Sequence, residues 1–268
     1  MCGISMACAR DDSVSRTIAL DRGAPVKIFN GSGRIRVVGW AKDSLRVEGA
    51  LGHGEHFYWL GDARGVKLGV LETAQDTGSP PSTFTVYVPL TSDFAAKGAS
   101  AGIDVDGASG FVYTVSGPIH VRGAARSMQA ESVSGAIDVD CDVPWLRART
   151  ASGAIVLRGR IADVAGASVA GAIVVRTHAS DRVMVETMSG TVTLAPALAP
   201  GASVSADTHD GAIVLRPDTM SLARVDIERA VGSVDARSRS RSLLAGRGTG
   251  DTARVRLTTF SGRIDVAP

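Results

Sequence analysis

Four aspartates are the residues in this chain best placed to do chemistry. Asp104-Val105-Asp106 and Asp138-Val139-Asp140 each present two carboxylates to one side of an extended segment, and Arg122 and Arg158 follow at similar offsets. Clustered carboxylates beside a basic residue serve glycoside hydrolysis, and carboxylates also ligate calcium in polysaccharide lyases. Two such pieces separated by a whole repeat do not converge, however, so they read as solvated turn carboxylates. Gly52-His53-Gly54-Glu55-His56 places two histidines three residues apart around a glutamate. On a helix that spacing can hold a metal; in a glycine-rich stretch among strand signals, no metal site is expected. His209-Asp210 occupies a position held elsewhere by Ser and reads as a variant bend. No phosphate-binding loop, nucleophile elbow or dinucleotide fingerprint is present. No catalytic residue and no cofactor is therefore assigned.

The elements that carry these residues follow from a repeated phrase. Ser134-Gly135-Ala136-Ile137-Asp138-Val139 recurs as Ser152-Gly153-Ala154-Ile155-Val156-Leu157 and as Ala170-Gly171-Ala172-Ile173-Val174-Val175. Gly117, Gly135, Gly153 and Gly171 are each 18 residues apart, and Gly190 and Gly211 continue the series. A period of this size means stacked coils. Aliphatic residues stand two and four places after each glycine, which is the alternation of a strand with one buried face. The stretch before each glycine alternates as well, and three places before it comes a small, mostly hydroxylated residue: Thr114, Ser132, Thr150, Ser168, Thr187, Thr208 or Thr259. Each coil thus holds two short strands bent at Ser-Gly. The glycine is expected because a sharp bend can demand positive φ. Ala101 takes the glycine's place in one coil, which is expected to be less sharply bent.

One coil contributes about four inward aliphatics, each worth roughly 1.5–3 kcal/mol when buried. Ordering its backbone costs on the order of 1–2 kcal/mol per residue. A lone coil loses on that comparison, whereas stacked coils share ladders and cover one another. No sustained helical stripe exists, and the six-residue period of a left-handed hexapeptide helix is absent. The fold class expected is all-β, a right-handed parallel β-solenoid of roughly 18–21-residue coils.

Along the chain, residues 1–20 read as an N-terminal tail, a possible remnant of an export signal. Residues 21–95 are β-rich but irregular and hold Trp40, Phe57, Tyr58, Trp59 and the turn-rich Gly78-Ser79-Pro80-Pro81. Residues 96–216 form the regular stack. Residues 217–268 carry wider coils, with a loop over 238–250 whose arginines are read as solvated.

Composition narrows the partner classes. Hydrophobic residues make up 44% and aromatics 4%, with 31 glycines among 268 residues, which suits thin aliphatic layers. The formal charge of +2 is too balanced to point to nucleic acid. No stretch reaches the ~20 apolar residues of a membrane span. Cys2, Cys8 and Cys141 form neither a disulfide framework nor a metal spacing. Ser5-Met6-Ala7-Cys8 has the form of a lipoprotein signal tail with Cys8 as the lipidated residue, although a mobile terminus, or a start codon placed within a longer signal, is the simpler reading. Cys141 falls where neighbouring coils carry Gly123 and Gly159, as a buried or corner thiol.

Outward positions of stacked coils form columns. Five places after the glycines stand Arg122, Asp140, Arg158, Arg176 and Arg216; three places after them stand His120, Asp138, Val156, Val174, Thr193 and Val214. The first column reads either as an exposed charge ladder or as a basic stripe for an acidic glycan or partner. The valines Val156, Val174 and Val214 make an outward apolar stripe, the better candidate for a partner surface.

The recurrent Ser-Gly-x-Ile-x-Val phrase, preceded by a Val-x-x-x-Thr/Ser strand, resembles the bacterial putative adhesin family DUF4097, and also the GIN-type head domain of autotransporter adhesins, over roughly residues 24–266. The resemblance implies a parallel β-helix-like fold and a cell-envelope or extracellular setting, and it implies no catalytic residues. The function expected is a non-enzymatic, adhesin-like binding or scaffold surface for a protein or glycan. The alternatives are a carbohydrate-active β-helix enzyme and an accessory protein of envelope-stress signalling.

Overall fold

The structure, a computed structural model, describes residues 13–72, 80–216, 225–234, 242–243 and 252–266. Among these the chain is all β, and no helix is long and apolar enough to cross a membrane. Cys2, Cys8, residues 78–79 and most of the 238–250 segment lie outside the described residues.

Two parallel ladders carry the repeat. The segments before each bend stack as Val26–Asn30, Asp93–Gly98, Ser109–Thr114, Met128–Ser132, then residues 146–150, 164–168, 183–187, 203–208 and 254–259. The segments after it stack as Arg34–Trp40, Gly102–Asp106, Ile119–Ala124, then residues 137–140, 155–158, 173–175, 192–194, 213–215 and 264–266. In this second ladder the residues two places after each bend lie in one file: Ile103, Ile119, Ile137, Ile155, Ile173, Val192, Ile213 and Ile264, all buried. Inward and outward residues alternate because strand side chains have a period of two, and the core is the set of inward files.

The hydroxyl three places before the glycine closes the bend. The Gly153 N–H donates to Thr150 Oγ1 at 3.0 Å and the Gly135 N–H to Ser132 Oγ at 2.8 Å. The same contact recurs at Ser168, Thr187, Thr208 and Thr259. These hydroxyls are buried, so each satisfies a backbone donor that has lost access to water.

The glycines themselves overturn one expectation. Those at 117, 135, 153, 171, 190 and 211 do not have positive φ. What excludes a side chain is contact between coils. A Cβ on Gly153 would lie 2.1 Å from the Gly135 carbonyl oxygen, and one on Gly135 would lie 2.1 Å from that of Gly117. Nor is the Ala101 coil bent differently. Its Ala99 and Ser100 N–H groups share the Gly31 carbonyl, as Ala151 and Ser152 share that of Val133. The extra methyl is offset one strand away: Gly98 occupies the hydroxyl position, where a Cβ would come 3.0 Å from Ala101 Cβ.

Both ends of the stack depart from chain order. Val26–Asn30 and Arg34–Trp40 are not terminal, because the later segments Gly65–Glu72 and Thr83–Pro89 pair on their outer side. Antiparallel strands finish that end: Glu55–Asp62 on Gly65–Glu72, and Ser44–Ala50 on Thr83–Pro89. Ser13–Ala19, assigned from sequence to a tail, is a strand antiparallel to Ser44–Ala50. It pairs an edge that would otherwise present open backbone groups. At the other end Ala253–Val266 inserts between the 203–215 coil and Val225–Val234, whose first residues also pair antiparallel with Ser242–Leu243, so outer strands precede the inner one in sequence.

Replacing Gly153 with Ala is expected to cost about 3 kcal/mol, because the new methyl meets backbone and not a yielding side chain. Thr150→Val, which strands the Gly153 N–H, is expected to cost about 1–2 kcal/mol. Urea unfolding curves of the two variants check both.

Candidate binding surface

The outer face of the second ladder holds most of the residues singled out from sequence. Cα pairing places Asp106, Arg122, Asp140, Arg158 and Arg176 in one file, and Arg36, Asp104, His120, Asp138, Val156, Val174, Thr193 and Val214 in the next. The first file adds two residues to the column read off the sequence, Asp106 at its head and Ala195 within it. Ala195 stands between Arg176 and Arg216, since its N–H donates to the Val175 carbonyl and that of Arg216 to the Leu194 carbonyl. That alanine leaves a depression of about 570 Å³ bordered by Asp140, Arg158, Arg176 and His178.

Charge alternates along the near half of this face. An acidic rung at Asp104 and Asp106 is followed by His120 and Arg122, then by Asp138 and Asp140, then by Arg158. The aspartates engage arginines: Arg34 Nε lies 3.5 Å from Asp104, Arg36 Nη2 3.7 Å from Asp106, and Arg158 Nη2 2.6 Å from Asp138 with its Nε 3.9 Å from Asp140. These pairs are solvent-accessible and worth under about 1 kcal/mol each. The arrangement orients side chains along the sheet and does not bring two free carboxylates together. Among the described residues, Arg122, Arg176 and Arg216 have no carboxylate within 4.0 Å.

The far half of the face is apolar and thin. Val156 and Val174 are direct partners, Thr193 separates them from Val214, and all are half-buried. Ala154, Ala172 and Ala212 lie two residues before these valines, just ahead of the strands that carry them. At the ~4.8 Å spacing of adjacent strands this is a flat strip with arginines along one side.

The other candidates occupy local structural roles. Glu55 accepts hydrogen bonds from the Gly52 and Ser82 N–H groups at 3.1 Å and from the Ser82 hydroxyl, so its carboxylate ties the loop before Thr83–Pro89 to the hairpin. His53 and His56 are exposed, and no cluster of three metal-binding side chains exists among the described residues. The His209 ring stacks on that of Phe260 with centroids 5.0 Å apart, and Asp210 accepts from the Ser261 hydroxyl, both within bends.

One feature escaped the sequence reading. Two places before five of the bend glycines stand exposed apolar residues, Val115, Val133, Val169, Met188 and Phe260, the last 78% exposed, with Ala151 and His209 at the same offset in two other coils. Their backbones lie along one ladder of bends, Val115 N–H to Ala99 O and Met188 N–H to Val169 O among them. The signal was present in the same alignment of repeats, but exposure at a corner is a property of the stacked coils.

Cys141 is buried beside Gly123 and Gly159, and a Cβ on Gly159 would come 2.2 Å from the Cys141 carbonyl oxygen. Burial, with Asp142 and Asp140 nearby, pushes its thiol up to about 12. The raised value favours the neutral form. Its contribution to stability is complete below the ordinary thiol range and is lost as pH rises from about 8.5 toward 12. With Cys2 and Cys8 replaced by serine, the folded chain is expected to resist an aromatic disulfide reagent at pH 8 and to release one equivalent of thiol on unfolding. Denaturation midpoints should fall across the same alkaline window, and the fall should be smaller in Cys141→Ala, with a part left that the raised Tyr58 phenol contributes.

No family model and no curated protein matches the chain. Among solved structures it is similar to a putative adhesin from Bacteroides fragilis, with 13% identity over 96% of this chain and 98% of that one and a TM-score of 0.48. A putative adhesin from Parabacteroides distasonis aligns at 11% identity over 95% and 97% with a TM-score of 0.48. A putative cell adhesion protein from Clostridium sporogenes aligns at 8% identity over 95% and 98% with a TM-score of 0.22.

Proposed function

We propose that this chain is an adhesin-like, right-handed parallel β-solenoid of the cell envelope or the extracellular space, which binds a partner and does not turn over a substrate. The observation that carries the reading is the outer face of the second ladder, on which no described strand packs and where the Val156–Val174 strip adjoins Arg176 and Arg216, neither with an acidic partner among the described residues. A rigid array of this kind offers flat apolar area beside fixed positive charge, which complements an acidic glycan or an acidic protein surface. Engagement of the Asp104, Asp106, Asp138 and Asp140 carboxylates by arginines supports binding over hydrolysis, because a glycosidase needs two carboxylates facing one bond. The resemblance of the Ser-Gly phrase to DUF4097 supports the envelope setting.

A glycan array read beside a reducing-end release assay tests this. Binding of acidic glycans without release is expected, and release of new reducing ends would favour the carbohydrate-active alternative. Val156→Lys combined with Val174→Lys is expected to lower partner binding at least tenfold while leaving the unfolding midpoint nearly unchanged, since both positions face outward. Unchanged binding in a folded variant would count against this face.

A further inference from the structure

The outer face of the first ladder carries a second site, near the end where the coils leave chain order. Lys27 and Lys67 are direct Cα partners on adjacent parallel strands, and both are exposed. Like charges set opposite each other destabilise a sheet, so the pair calls for a counter-charge. Lys97 lies on the next strand as the partner of Phe29. The described residues lining this face supply none: with Phe29, Tyr58 and Phe111 the three lysines border a groove of about 660 Å³ that contains no carboxylate. Every ion pair among the described residues is made by an arginine.

The groove is built into the backbone. A Cβ on Gly69 would lie 2.3 Å from the Phe29 carbonyl oxygen and 2.9 Å from Tyr58 Oη, so the tyrosine lies across a strand that has no room for a side chain there. Burial raises the Tyr58 phenol above its ordinary value, so this wall of the groove carries a neutral hydroxyl. Phe29 is 39% exposed, an aromatic surface left open beside positive charge. A volume of this size matches small-ligand sites, which combine an apolar lining with a few converging polar groups.

We propose that this groove binds a small amphiphilic carboxylate, its apolar body on Phe29, Tyr58 and Phe111 and its carboxylate between Lys27 and Lys67. The site lies on the other ladder from the arginine-edged face and is independent of the function proposed for that face.

Calorimetric titration of the full chain with decanoate, decanol and decyltrimethylammonium at pH 7 tests the proposal. Saturable decanoate binding at least tenfold tighter than that of decanol is expected, with the cation weakest, since only the carboxylate can accept charge-assisted hydrogen bonds from the ammonium groups. In Lys27→Gln/Lys67→Gln, decanoate affinity should fall to that of decanol. Without ligand, the same variant should melt about 1–2 °C higher, because the facing like charges are gone. Either single lysine variant should lose part of the affinity, and Val156→Lys/Val174→Lys should lose none. Absence of decanoate binding, equal affinity for the three probes, or undiminished affinity in the folded double lysine variant would overturn it.

Discussion

Close stacking of one bend on the next is the constraint on which the rest of the structure depends. The glycines at the bends place their Cα hydrogens where the preceding coil's carbonyl oxygen already stands, about 2 Å from any possible Cβ. Such contact holds each coil at strand spacing from its neighbour at the corner as well as along the ladders. It also explains the hydroxyl three residues earlier. Once the bend is packed against another bend, the glycine N–H cannot reach water, and Ser or Thr supplies its acceptor from within the coil.

From that constraint the core and the surface follow together. Coils in fixed register put Ile on Ile and Val on Val through the interior, and they put outward residues in files with equal regularity. A file is therefore a unit of surface chemistry. The near half of one face alternates acid and base, and arginine pairs reaching across its two files neutralise it. Its continuation is apolar beside arginines that have no acidic partner among the described residues.

The ends obey a different requirement. A parallel stack leaves open backbone groups at both edges, and such edges invite pairing with other chains. Here the chain doubles back: a later segment covers the first coil, antiparallel strands complete that end, and at the other end the last coil in sequence slides inside an earlier strand. The facing lysines 27 and 67 meet only because of this reordering. Forty residues separate them, and no repeat relates them.

Period and alternation determined the all-β character, the parallel pairing, the inward files and the identity of the bends, because an 18-residue repeat with two aliphatic alternations allows few other burials. Phe57, Trp59 and the 44–50 strand were legible as a β-rich end but not in their order, since antiparallel caps carry no repeat. The reason for glycine was misread as backbone conformation, because sequence shows the residue and not the neighbouring carbonyl that excludes its replacement. The compensation of Ala101 by Gly98, the exposed corner from Val115 to Phe260 and the lysine-lined groove were all decided by tertiary structure. Each depends on which atoms lie across a coil boundary, and spacing along a chain does not specify that where insertions shift the register or the coils stack out of order.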